Sequence, residues 1–149
     1  MTRTVFAGRI SKEEMIEEAR DLASSKPVPK RVYLEGPLGT GKSTFARAFM
    51  RKLGVEGAIP SPTFVIRADY QVGCRSIHHV DMYRLSGDPL ELCGLGVDEL
   101  LESDDIVVVE WAERLPPHWR RLGATVEIGF CGDPDSREVR IAREDLAGN

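Results

Sequence analysis

The chain has 149 residues, with 20 Lys plus Arg against 24 Asp plus Glu, a net charge of −4, and 42% hydrophobic and 7% aromatic residues. A chain of this size buries about 68–70% of its unfolded surface and needs no covalent staples, which favours one globular domain over residues 1–149 and argues against two. The acidic balance disfavours a protein that grips phosphate backbones unaided. Cys74, Cys93 and Cys131 form no CxxC pair and no metal-spaced cluster, so a zinc site or a disulfide scaffold is a poor reading and a reducing, cytoplasmic setting is expected. No apolar run approaches the ~18–20 residues of a membrane span, and the first ten residues lack the apolar stretch of a signal peptide.

In chain order, residues 4–7 read as a short strand. Ser11-Lys12-Glu13-Glu14 has the Ser-x-x-Glu form of a capping box. It predicts a helix over 12–25, with Met15, Ala19 and Leu22 on its buried stripe and Pro27 and Pro29 ending it. A strand over 31–35 is followed by a glycine-rich turn and a helix over 43–53. Further strands are expected over 63–68, 76–80 and 105–109, the last an unbroken Ile-Val-Val-Val run suited to burial on both faces of a parallel sheet. Residues 89–101 read as helical, interrupted by Gly94 and Gly96. Residues 124–130 and 138–142 alternate in polarity around Gly132-Asp133-Pro134-Asp135, the pattern of an antiparallel hairpin. There is no internal repeat and no low-complexity segment.

The turn Gly36-Pro37-Leu38-Gly39-Thr40-Gly41-Lys42-Ser43 matches G-x-x-x-x-G-K-[ST] between a strand and a helix start, where a phosphate-binding loop must sit. Successive amides and a helix N-terminus neutralise polyphosphate without bulky side chains, and glycine lets the backbone come close. Lys42 is expected at the β- and γ-phosphates and Ser43 on Mg²⁺. The fold class is therefore α/β: a three-layer P-loop NTPase fold with a mainly parallel central sheet and an antiparallel C-terminal hairpin. Glu110 and Asp81 each end an apolar strand, where open α/β sheets bind ligands, and are the candidate acids for the metal. A solvated strand-end acid is the plainer alternative, about as good for Asp81 taken alone. Thr63 of Ser61-Pro62-Thr63 could act as a switch threonine, although its spacing alone suits an ordinary turn. His79 could touch a phosphate or orient Asp81, but a histidine inside an apolar strand is more often structural. His78 and His118 carry no functional argument.

Taken together, LEGPLGTGKSTFAR (34–47), SPTF (61–64), HVDMYRL (79–85), ELCGLG (91–96) and VVEW (108–111) resemble the TsaE (YjeE-type) family of tRNA N6-threonylcarbamoyladenosine synthesis. The resemblance implies a small ATPase using ATP and Mg²⁺, working with TsaD and TsaB partners. These build the modification on adenosine 37, so tRNA is met indirectly, through the complex. It assigns Gly36, Leu38, Gly39, Thr40, Gly41, Lys42, Ser43 and Thr44 to the nucleotide. Ser43, Glu110 and Asp81 go to the metal, and Lys42, Glu110 and Asp81 to catalysis. Thr63 and Trp111 become nucleotide-side candidates, and Tyr83 and Arg84 face the site or a partner. For the adenine, the candidates are Ile10 and Ser11 near the first helix, or Ser136 and Arg137 after the hairpin turn. No intrinsic arginine finger stands out, which predicts slow basal hydrolysis. Two rivals stay open: a small-molecule kinase, for which Arg114, Arg120 and Arg121 near Pro116-Pro117 offer a weak lid-like cluster that reads better as a solvated surface patch, and a binding module gated by nucleotide without useful turnover.

Overall fold

The computed structural model describes residues 2–60 and 66–144. The strands are β1 (Thr2–Ser11), β2 (Arg31–Glu35), β3 (Arg67–Val72), β4 (Arg75–Asp81), β5 (Ile106–Glu110), β6 (Gly123–Gly129) and β7 (Ser136–Glu144). The helices are α1 (Lys12–Ser24), α2 (Lys42–Leu53), α3 (Pro89–Gly94) and α4 (Val97–Glu102), with 3₁₀ turns at Ala112–Arg114 and Pro117–Trp119. All seven strands join one sheet in the order β1-β7-β6-β2-β5-β4-β3. Its centre is parallel: β2 pairs with β5 and β6, and β4 pairs with β5. The flanks are antiparallel, where β6 meets β7, β7 meets β1 and β3 meets β4.

Alternation along the strands divides the core between two faces. Val32, Leu34, Val108, Val126, Ile128 and Ile141 face α1 and α2, whose Met15, Ala19, Leu22, Phe45, Phe49 and Met50 cover them. Tyr33, Val80, Val107 and Val109 face the other way, under Leu92, Val97, Leu100 and Leu101 of α3 and α4. This sandwich brings the carboxyl ends of β2, β4 and β5 to one edge beside the start of α2.

The capping box forms as its sequence predicts. Glu14 N donates to Ser11 Oγ at 3.1 Å and Ser11 N to Glu14 Oε1 at 3.1 Å. Ser11→Ala should therefore cost about 1 kcal/mol, read as a lower urea midpoint at unchanged slope. The N-terminal strand is longer than the expected 4–7, since β7 offers a ladder along its whole length. The largely exposed β1 carries little hydrophobic signal of its own. Of the strand expected over 63–68, residues 63–65 lie outside the described ones, Ile66 sits in the left-handed region at φ 69°, and only Arg67 and Ala68 are in a strand, β3, which continues to Val72. The 89–101 region divides at Gly96, which sits in the left-handed region at φ +74° and starts α4.

Candidate functional site

Between β2 and α2 the loop over 36–41 turns on glycine. Gly36 has φ +140°, and a Cβ there would lie 2.1 Å from the Ile128 carbonyl oxygen. Gly41 has φ +112°, with Met15 Cε 2.8 Å from where a Cβ would stand. At Gly36 a side chain would run into backbone, and at Gly41 the left-handed φ strains any other residue and Met15 would have to shift, so the loop is seated against β6 and α1. Arg137 holds it from beneath. The buried guanidinium donates from Nε to Thr40 O at 2.9 Å and from Nη2 to Gly39 O at 3.4 Å. Thr40 Oγ1 closes the turn on Pro37 O at 3.0 Å.

A cleft of about 280 Å³ opens beside the loop. Leu38, Gly39, Gly41, Lys42, Ser43 and Thr44 line one side, and Asp81, Tyr83, Glu110 and Trp111 the other. The parallel register puts Asp81 directly opposite Glu110, and both are buried. Ser43 Oγ donates to Glu110 Oε1 at 2.7 Å, and Glu110 Oε2 lies 2.5 Å from His79 Nε2. Asp81 Oδ1 accepts from Tyr83 N at 2.8 Å. Trp111, at φ 58°, turns the chain sharply after Glu110. Such a conformation costs a non-glycine residue of order 1–3 kcal/mol and tends to mark functional sites. Its ring centroid lies 4.0 Å from Lys42 Nζ, a cation–π contact, and 5.1 Å from the Tyr83 ring.

Lys42 Nζ also donates to the carbonyls of Gly36 at 2.5 Å and Pro37 at 2.9 Å. Burial pushes its ammonium below the usual lysine range, and the nearby Glu113, Glu110 and Asp81 carboxylates restore only part of that. Raising the pH therefore strips its charge earlier than from an exposed lysine. Affinity for a magnesium-free adenine nucleotide should therefore fall as the pH rises, and begin to fall before the pH at which an exposed lysine loses its proton, followed by Trp111 fluorescence. Lys42→Arg should flatten that profile, because guanidinium keeps its charge.

The structure brings together Lys42, Ser43, Glu110, Asp81, Trp111 and the loop residues. Ser11 and Arg137 are engaged elsewhere, the first as the cap of α1 and the second under the loop. Thr63 lies outside the described residues. His79 meets Glu110 rather than Asp81, while His78 bridges Asp69 and Asp105 at 2.6 and 2.9 Å. Sequence reasoning missed Glu113, whose Oε2 accepts from Gly36 N at 3.1 Å. Its place three residues beyond Glu110, on a tight turn, was the one signal that pointed to it. The three arginines of the possible lid are tied down. Arg114 binds the carbonyls of Met82, Tyr83 and Leu85, Arg120 pairs with Glu35, and Arg121 pairs with Glu102.

The donor chemistry fits magnesium. Ser43 Oγ and the Glu110 and Asp81 carboxylates are hard oxygens at one edge. Mg²⁺ characteristically takes one or two such protein ligands and completes its shell with phosphate and water. No cluster of three or more His, Cys, Asp or Glu side chains placed to hold a metal occurs among the described residues.

Residues 10–139 match the family model described as threonylcarbamoyl adenosine biosynthesis protein TsaE. The chain belongs to the TsaE family. It is 34% identical over 118 residues to the Haemophilus influenzae tRNA threonylcarbamoyladenosine biosynthesis protein TsaE, covering 79% of this chain and 73% of the relative. Identity to the Streptomyces coelicolor protein of the same name is 46% over 101 residues, 66% of this chain and 68% of that one. The crystal structure of Bacillus subtilis YdiB superposes with a TM-score of 0.70 at 28% identity, over 96% of this chain and 87% of that one. These likenesses establish the TsaE family and its fold. The stretch matched to the family model runs from the strand before the capping box to the last strand of the hairpin, and so takes in the whole cleft.

Proposed function

We propose that this TsaE-family chain binds MgATP in the cleft and hydrolyses it, serving the synthesis of tRNA threonylcarbamoyladenosine in the cytoplasm together with TsaD- and TsaB-type partners. The observation that carries the reading is the convergence of the glycine loop and Lys42 with Ser43 and Glu110, 2.7 Å apart, at the carboxyl edge of the parallel strands. The names of the relatives support the pathway.

In this reading the loop amides and the start of α2 receive the phosphates, and Lys42 turns from its own loop carbonyls to the transferring phosphoryl group. Ser43, Glu110 and Asp81 would hold magnesium, which supplies charge neutralisation on the phosphate oxygens. Glu110, with both oxygens already accepting hydrogen bonds, orients water or the metal shell, and water is the acceptor. The engagement of Arg114, Arg120 and Arg121 with backbone and carboxylates speaks for water over a metabolite. The same engagement leaves no arginine of that group at the phosphates, which supports slow turnover alone and faster turnover in the assembled system.

The test is reconstitution of the tRNA modification with partner proteins, tRNA, threonine, bicarbonate and ATP, with and without this chain. Repeated turnover should require it. Equal turnover without it, or basal ATP cleavage as fast as that of the assembled system, would remove the reading.

A further inference from the structure

Rows of side chains on β4 and β5 show how the carboxylate of the proposed hydrolysis is held. Ile77, His79 and Asp81 alternate onto one face, and the register sets them beside Ile106, Val108 and Glu110. Below the acids, that face is apolar: Ile77, Ile106 and Val108 belong to the cluster with Phe45 and Phe49 of α2. His79 stands in this row with no exposed surface. A buried ring with polar atoms is costly there unless a hydrogen bond compensates. Its Nε2 lies 2.5 Å from Glu110 Oε2, and its Nδ1 has no partner among the described residues.

That asymmetry selects the tautomer. A carboxylate only accepts, and a proton on Nδ1 would be a buried donor with no acceptor among the described residues, so the proton belongs on Nε2. Glu110 is thus gripped at both oxygens from two elements, by the Ser43 hydroxyl of the first turn of α2 and by the His79 ring of β4. We infer that His79 is a positioning residue for the hydrolysis: through Nε2–H it fixes the rotation of the Glu110 carboxylate, leaving the other oxygen to Ser43, and it does not itself contact the nucleotide. The inference rests on the ATPase reading above.

Three substitutions separate a positioning role from a filling one. His79→Leu fills the apolar row without a donor. His79→Gln carries an amide out to about the place of Nε2, and His79→Asn stops near Nδ1. Loss of such an outer partner ordinarily costs about 10–100-fold. The Leu and Asn variants should lose kcat for ATP cleavage by that factor with KM unchanged, and Gln should recover most of it. Nitrogen NMR of the wild-type ring, recorded without nucleotide or metal, should report a protonated Nε2 and a bare Nδ1.

Wild-type kcat in His79→Leu, equal losses in all three variants, a changed KM at constant kcat, or a proton on Nδ1 would each overturn the inference. If the variants do not fold by circular dichroism, the ring spectrum of the unsubstituted protein decides it. Failure of the ATPase reading has a different signature. Lys42→Ala would then cleave ATP like the unsubstituted chain, with the His79 spectrum as expected here.

Discussion

Lys42→Ala should leave a folded protein that has lost ATP turnover by about 10³-fold or more, the range in which removal of a transition-state stabiliser falls. Affinity should drop as well. A hydrogen bond from a charged group is worth about 1.5–3 kcal/mol, or about 10–100-fold in Kd. The fold should hardly notice. The ammonium is desolvated, with its protonation already pushed down by burial, so removing it relieves a cost. Of the two residues whose carbonyls it bonds, Gly36 is half-buried and Pro37 exposed, so water can replace it there. The melting temperature should stay within about 3 °C of the unsubstituted chain, the shift for about 1 kcal/mol in a chain of this length. Unchanged turnover in this variant would contradict the placement of phosphate in the loop, and turnover lost only through unfolding would show as a collapsed melting transition.

Glu110→Gln should separate binding from chemistry. The amide keeps the volume, but it presents a donor to at least one of two neighbours that now donate, Ser43 Oγ and His79 Nε2. It also loses the charge that favours a metal or an oriented water. ATP cleavage should fall by about 10²–10⁴-fold, the usual contribution of a positioned acid–base group, while ATP affinity stays within about tenfold, since the loop and Lys42 are untouched. Measured cleavage and equilibrium binding of the same preparation test this together. A Glu110→Gln protein that binds ATP and sustains full repeated tRNA modification would instead favour a nucleotide-gated binding module, in which cleavage is dispensable.

These two residues differ in how far the amino-acid sequence reveals them. Lys42 is legible there because its role is local: six loop residues, a strand before and a helix after are all written in one contiguous segment. Glu110 is legible only as an acid ending a buried strand. Its grip by Ser43 and His79 depends on residues 67 and 31 positions away in the chain, and no spacing rule relates them. Arg137 illustrates the same limit. As a sequence feature it is an arginine after a hairpin turn, whereas its buried guanidinium supports the carbonyls of Thr40 and Gly39, nearly a hundred residues earlier.

By itself, the amino-acid sequence determined the periodic and locally closed features: the capping box of α1, the glycine loop with its helix, the apolar central strands and the hairpin near the end. Each of these is decided by neighbours within a few residues, through alternation, capping and left-handed glycine. The tertiary structure alone decided the strand order, which of two buried histidines meets the Glu110 carboxylate, and that the three arginines near the proline pair serve as braces. It did so because the parallel register lays Asp81 beside Glu110 and slides His79 beneath it. Pairing of that kind is an energy shared between distant segments, and it comes into being only when the sheet closes.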